Sequence, residues 1–231
     1  MSTSPFSGPL VPPPPADAAI SRVDALLDAA EAVIVRDGIA SLTLDAVAAE
    51  AKVSKGGLLH HFPSKDRLVE ALVKRTAFAI RSHNAQAFEQ AGEGPGRMAR
   101  GLLQANLRDL DEWCATCQRG SAATFSALAH NPRLLAPMRE AYADLHQRIA
   151  ADDLPEGVGD VVMAAIDGLW LYWVLGLMPV DQAMIVRVRK ALEKILDDAT
   201  AAPGPRGAGK KASAGRGSAA AKKAPAARRA R

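Results

Sequence analysis

Apolar residues recur every three or four positions along most of the chain, which is the spacing of one face of an α-helix. The first such segment runs from about Asp17 to Asp37, and Gly38 follows at the usual C-terminal stop. No segment shows sustained alternation of apolar and polar residues between turn signals, which is the pattern of a half-buried strand. The sequence therefore predicts an all-α fold.

Capping residues divide the next part of the chain into short helices. Thr43 is placed to cap a second helix, Ser54 a third that reaches about His60, and Ser64 a fourth beyond Pro63. In the fourth helix we expect three apolar side chains to face inward, namely Leu68, Leu72 and Phe78. Longer helices are predicted at about 97–110, 112–130, 132–149, 160–178 and 182–195.

The segment from Thr43 to Phe62 is predicted to carry the function. Only Lys52 and Val53 separate its two short helices, and this is the helix-turn-helix layout, in which the second helix presents its N-terminal residues to the major groove. Glycine costs a helix about 1 kcal/mol relative to alanine, but it lets the backbone approach DNA closely. The predicted DNA contacts are Thr43, Ser54, Lys55, Gly56, Gly57, His60, His61 and Lys65.

The same stretch, about 26–72, resembles the DNA-binding domain of the TetR family. The resemblance is carried by Gly38, Thr43-Leu44, Val47-Ala48, the run from Ala51 to Gly56, His60-His61-Phe62 and the run from Lys65 to Leu68. It implies an N-terminal three-helix helix-turn-helix domain, then a larger helical ligand-binding and dimerisation domain whose last two helices form the dimer interface. Three positions depart from the family pattern: Lys52 replaces the usual turn glycine, Leu59 a tyrosine, and Gly57 a threonine or alanine.

Composition divides the chain into four expected parts. Residues 1–16 are rich in serine and proline and are expected to be disordered, 17–75 to form the helix-turn-helix domain, and 76–202 the larger helical domain. Residues 203–231 form a tail with nine basic residues and no acidic one, so the remainder carries a net charge of −5. The tail is expected to be disordered. It is either a solubilising extension or a DNA-binding segment without sequence choice.

A ligand cavity in the larger domain is expected to be mainly apolar with a few polar groups. The candidate ligand-binding residues are Trp113, His130, Met138, Tyr142, Asp167 and Trp170. The competing interpretation places most of the aromatic residues near Trp170 in the core and the dimer interface.

Other kinds of site are not predicted. His60 and His61 are adjacent on a helix and point in different directions, so we expect no metal there, and we expect no cofactor and no enzymatic activity. Cys114 and Cys117 are interpreted as buried helical cysteines, although a thiol-sensing role stays open. The longest uncharged apolar run, from Gly168 to Val180, is too short to span a bilayer, so a soluble cytoplasmic protein without a membrane partner is expected.

These patterns predict a sequence-specific DNA-binding transcriptional regulator that acts as a homodimer. It is expected to be a repressor released from a palindromic operator by a small apolar effector. The alternative is an architectural, nucleoid-type DNA-binding protein that relies on the basic tail and has no ligand.

Overall fold

The computed structural model describes residues 21–110 and 130–201, together with residues 121, 125, 127 and 128. Within these residues the chain forms α-helices and two short 3-10 turns, and no strand occurs. The predicted all-α class is therefore confirmed. Trp113, Cys114, Cys117 and the basic tail lie outside the described residues, as does most of the helix predicted at 112–130.

Eight α-helices have bounds within the described residues. They are α1 (Arg22–Asp37), α2 (Leu44–Glu50), α3 (Lys55–His61), α4 (Lys65–Gln90), α5 (Arg97–Asn106), α6 (Ala136–Ala150), α7 (Val158–Leu175) and α8 (Gln182–Ala201). The 3-10 turns are Ile39–Ser41, between α1 and α2, and Pro132–Leu135, directly before α6.

Side-chain caps fix where the N-terminal helices begin. Thr43, Ser54 and Ser64 are extended in backbone, and each side-chain oxygen accepts a hydrogen bond from the backbone N–H three residues on, as predicted. Ser21 caps α1 in the same way, so α1 begins at Arg22 and not near Asp17. At the other end of the chain, α7 stops at Gly176, whose φ of 62° ends the helix.

One hydrophobic cluster buries the inner faces of α1 to α4. Leu26, Leu58, Leu68 and Leu72 are almost completely buried in it, and it extends to Met138 of α6. The prediction that Phe78 also faces inward is wrong, because this side chain is 44% exposed. The buried stripe of α4 passes through Val73 and Ala77, and the residue after Ala77 is rotated about 100° around the helix axis.

Ion pairs and hydrogen bonds hold the N-terminal helices to α4. Arg75 of α4 reaches α1, where its guanidinium lies 2.7 Å from carboxylate oxygens of both Asp28 and Glu31. The Glu31 side chain is only 8% exposed, so this contact is largely shielded from water. Arg75 thus fixes α4, which continues to Gln90, to α1.

A second hydrophobic cluster joins α5, α7 and α8. The N-terminus of α5 is capped from a distance by Asp152, whose carboxylate accepts hydrogen bonds from the backbone N–H groups of Met98 and Ala99 at 2.8 and 2.9 Å. Burial outweighs these two bonds and raises the pKa of Asp152. The described structure thus has these two main clusters and a smaller third one, in which Met98 and Leu102 of α5 pack on Leu145 and Ile149 of α6. Helices α4 and α6 link them.

Candidate DNA-binding site and effector region

A tight turn without glycine places α3 against α2. Lys52 has a φ of 55°, in the left-handed region that favours glycine. The Lys52 backbone N–H donates to the carbonyl of Ala49 at 3.1 Å, and that of Val53 donates to Ala48 at 3.0 Å. The lysine at this position therefore carries backbone strain in a turn that its own hydrogen bonds hold closed.

The third helix is anchored on one side and open on the other. Leu58 is completely buried, and Phe62 directly after the helix is 5% exposed. Lys55, Gly56 and Gly57, which form the first turn, are all exposed. The helix therefore presents its N-terminal turn to solvent while its apolar side fixes its orientation, which is the geometry that groove reading needs.

The two glycines of this turn differ in what surrounds them. A Cβ added at Gly56 would meet no atom within 4 Å, whereas one at Gly57 would lie 3.3 Å from the capping Oγ of Ser54. An alanine at position 56 would fit the folded chain and would favour the helix. Packing among the described residues therefore does not explain the glycine at this position.

A salt bridge joins the starting turns of α2 and α3. The Nζ of Lys55 lies 3.0 Å from the carboxylate of Asp45, and both side chains are more than half exposed. The predicted contact residue Lys55 thus already has an anionic neighbour, which the sequence analysis did not single out. A phosphate that approaches Lys55 meets the repulsion of Asp45 as well.

The remaining predicted DNA contacts lie around these two starting turns, at the end of α3 and at the first residue of α4. The Ser54 hydroxyl accepts from the Gly57 N–H at 3.1 Å, which leaves its O–H free to donate. The rings of His60 and His61 meet edge-on with centroids 5.3 Å apart. Of the eight predicted residues, His61 and Lys65 are half-buried and the other six are exposed.

Asp66 connects the end of this site to the rest of the chain. Its carboxylate contacts the Nε2 of His130 at 2.6 Å and accepts a hydrogen bond from the Asn131 side chain at 3.4 Å. These hydrogen bonds, that of His130 first, lower the pKa of Asp66. We name these three residues the Asp66 clasp. It ties the first turn of α4 to the segment that precedes α6.

The predicted ligand-binding residues fall into separate places. His130 belongs to the Asp66 clasp, and Met138 is buried in the cluster of α1 to α4. Tyr142 of α6 donates a hydrogen bond from its hydroxyl to the Asp167 carboxylate of α7 at 3.1 Å. Trp170, one turn after Asp167, stacks on Phe125 with centroids 6.3 Å apart. We name Phe125, Tyr142, Asp167 and Trp170 the aromatic–acid cluster.

Burial shapes the chemistry of this cluster. Burial raises the pKa of Asp167 above the ordinary range of an aspartate. The hydrogen bond from Tyr142 lowers this pKa, but its effect is the smaller of the two. Burial, reinforced by the nearby carboxylate, also raises the pKa of Tyr142. The cluster thus holds an acid whose ionised form lacks full solvation.

The structure also contains a cavity that the sequence analysis missed. It has a volume of about 450 Å³ and lies between α4 and the start of α6. Its lining includes Phe78, Arg81 and Arg133, and it includes none of the predicted ligand-binding residues. The only available signal was the apolar Phe78 among charged residues of α4, which the sequence analysis assigned to the core.

Two further features bear on partners. Among the described residues, no group of three or more His, Cys, Asp or Glu side chains could hold a metal ion. In the same part of the chain, α7 is the one helix that is long and apolar enough to cross a membrane. Core helices of soluble proteins meet this criterion of length and composition as well.

Helix α7 and the residues directly after it also leave a large apolar surface uncovered. Its exposed side chains include Val161, Leu171, Tyr172, Leu175 and Leu177.

These observations define a helix-turn-helix DNA-binding protein with an attached helical domain. Residues 26–72 match the family described as bacterial regulatory proteins of the tetR family, and residues 96–197 match the tetracyclin repressor-like C-terminal domain. The chain belongs to the TetR family and is a DNA-binding transcriptional regulator. Regulators of this family are not enzymes, in agreement with the prediction.

The chain is similar to a curated regulator in sequence and shares its fold with solved structures. The HTH-type transcriptional regulator BetI of Burkholderia mallei (strain NCTC 10229) is 29% identical over 163 residues, which cover 68% of this chain and 83% of BetI. A TetR family structure from Streptomyces coelicolor A3 is 23% identical, with a TM-score of 0.57 over 76% of this chain and 98% of the other. The multidrug binding protein EbrR, complexed with malachite green, is 24% identical with a TM-score of 0.58 over 76% and 98% of the two chains.

Proposed function

We propose that this regulator is a cytoplasmic repressor that binds a palindromic operator as a homodimer and leaves it when a small molecule binds. In this proposal residues 17–75 bind DNA, and residues 76–202 bind the effector and form the dimer. The observation that carries the proposal is the exposed first turn of α3, where Gly56 has open space in front of it and Leu58 fixes the helix behind it.

The predicted DNA contacts receive distinct roles. Lys55 and the backbone at Gly56 and Gly57 enter the major groove, where side chains and close approach distinguish sequences. Thr43, Ser54, His60, His61 and Lys65 contact phosphates and set the position of the protein on the duplex. The hydroxyls of Thr43 and Ser54 keep a free O–H for this purpose, because their capping bonds use them as acceptors.

The uncovered apolar surface of α7 and α8 supports the dimer. Val161 and Leu175 are 50% and 48% exposed in one protomer, and Ile195 of α8 is 40% exposed. Contiguous apolar surface of this kind marks an interaction site in a soluble protein. A second copy related by two-fold symmetry would present two α3 helices to half-sites about 34 Å apart.

Effector binding would act on α4, which links the two main clusters. The candidate ligand residues Trp113, Tyr142, Asp167 and Trp170 are assigned to the effector region. That such a helical domain accommodates a small molecule is supported by EbrR, which binds malachite green. His130 and Met138 are assigned to transmission, because they contact the start of α4 and its core. The coupling needed is about 1–3 kcal/mol.

Selection of bound sequences from a random DNA library, followed by fluorescence anisotropy, tests the proposal. We expect a palindromic site, and we expect Lys55→Ala to weaken binding and relax sequence preference. Lys65→Ala should weaken all sequences alike. Lys74→Ala is the matched control, because Lys74 is a 60% exposed lysine nine residues further along α4 than Lys65 and should leave binding unchanged. Failure to select any site, with DNA binding lost on removal of residues 203–231, would favour the architectural alternative.

A further inference from the structure

Asp167 is a half-buried acid without a basic partner in the described part of the chain. Among the described residues, the hydrogen bond given to its carboxylate comes from the hydroxyl of Tyr142, which donates to Oδ1 at 3.1 Å. Burial raises the pKa of Asp167, and no lysine, arginine or histidine of the described residues opposes this effect. A carboxylate in such surroundings is costly to maintain unless a cation approaches it.

Aromatic rings stand on the same side of α7. Trp170 follows Asp167 by three positions, so the two side chains are neighbours on one helix face. The ring of Phe125 lies nearly parallel to that of Trp170, with 10° between the ring planes and 6.3 Å between centroids. The Tyr142 ring adds a third aromatic group, and this side chain is 37% exposed. Ring faces beside a carboxylate attract a large, weakly hydrated cation.

We propose that the effector is an organic cation, bound with its positive charge at Asp167 and its apolar groups against Trp170 and Phe125. Tyr142 holds Oδ1 of the carboxylate and leaves Oδ2 directed to the ligand. This inference rests on the proposed function, and it replaces the purely apolar effector expected from the sequence. A neutral ligand would leave the negative charge of the Asp167 carboxylate unneutralised, and that charge would repel an anion.

The location separates this site from the proposed dimer face. The hydrogen bond to Tyr142 turns Asp167 toward α6. Val161 and Leu175 are offset from Asp167 by six and eight positions, which places them about 120° and 80° around the α7 axis from it at 100° per residue. They therefore lie on an adjacent, uncovered face of α7 and not on the face that meets α6. A ligand at Asp167 therefore contacts α6 and α7 of one protomer. The segment directly before α6 carries the Asp66 clasp, so the site is connected to the start of α4.

Two probes of equal shape and opposite charge test the inference. Tetraphenylphosphonium and tetraphenylborate are titrated into the full chain by calorimetry in sodium buffer, with the smaller phenyltrimethylammonium as a second cation. We expect at least one cation to bind and tetraphenylborate to bind at least ten-fold more weakly than tetraphenylphosphonium. Asp167→Asn should weaken cation binding at least ten-fold and leave the anion's affinity unreduced.

Asp160→Asn is the matched control. Asp160 lies on the same helix, is 58% exposed and contacts His146, so its loss should change cation affinity less than two-fold. Asp167→Asn keeps the shape of the side chain and removes a poorly solvated charge, and thermal unfolding should find it as stable as the unaltered chain at neutral pH. Cation binding that is absent in the unaltered chain, or unchanged in Asp167→Asn, would overturn the inference.

Operator binding, measured on the same samples, separates this inference from the proposed function. If cations bind through Asp167 and do not release DNA, the cation site stands and the effector-controlled repressor falls. If the free chain binds its operator and no cation binds, the DNA-binding function stands and the cation site is wrong. If the cation binds and releases the unaltered chain but does not release Asp167→Asn, both are supported.

Discussion

Gly56→Ala should make the protein more stable and a weaker DNA binder. The new Cβ would meet no protein atom within 4 Å, so no packing cost opposes it. Alanine is favoured over glycine in a helix by at most about 1 kcal/mol, and by less in the first turn, where this residue lies. For a chain of this size a gain of that order raises the melting temperature by about 1–4 °C.

The same methyl group should interfere with DNA. In the groove-reading position the backbone of α3 approaches the bases, and a Cβ at position 56 would occupy that space. We expect operator affinity to fall at least ten-fold, which corresponds to about 1.4 kcal/mol. Thermal unfolding and anisotropy on the same preparation measure the two effects. A variant that is more stable and binds the operator as tightly as before would refute the assignment of this turn to the groove.

Three further changes test other parts of the structure. Val161→Arg should convert the dimer to a monomer in analytical ultracentrifugation, because it puts a charge into the proposed interface. Val35→Arg, at a 53% exposed position of α1, should not. Lys52→Gly should raise the free energy of unfolding by about 0.5–1 kcal/mol, since it relieves a φ of 55° at some entropic cost; a denaturant melt that gives a loss would contradict the strain. Asp45→Asn removes the carboxylate beside the lysine that begins α3. Its affinity for all DNA sequences should rise, and a fall in anisotropy titrations would mean that this aspartate positions the lysine.

Local chemistry made the N-terminal helices predictable. The caps at Thr43, Ser54 and Ser64 need only a side-chain oxygen and the backbone three residues on, so the sequence contains all the interacting parts. Where two residues could each cap the same helix, the sequence alone does not determine at which of them the helix begins. Asp17 and Ser21 both suit the start of α1, and the structure begins the helix after Ser21.

Tertiary contacts account for what the sequence analysis missed. The spacing of Phe78 fits an amphipathic stripe, but the buried stripe of α4 passes through Val73 and Ala77, and Phe78 instead lines the cavity beside the start of α6. His130 was assigned to a ligand site, and its contact with Asp66 joins residues 64 positions apart, which periodicity does not reveal. Both Tyr142 and Asp167 were predicted as polar groups of the ligand site. Their hydrogen bond joins two different helices, so periodicity did not reveal that they pair with each other.

Hydroxyl-radical footprinting of the full chain on its selected operator tests the central claim most directly. The claim is that two α3 helices of a dimer read successive major grooves. It predicts two protected patches, related by two-fold symmetry, with centres about 34 Å apart along the duplex. It also predicts that Gly56→Ala weakens both patches strongly at a protein concentration near the Kd of the unaltered complex. Uniform protection without a preferred site, or a pattern that Gly56→Ala leaves intact, would contradict it.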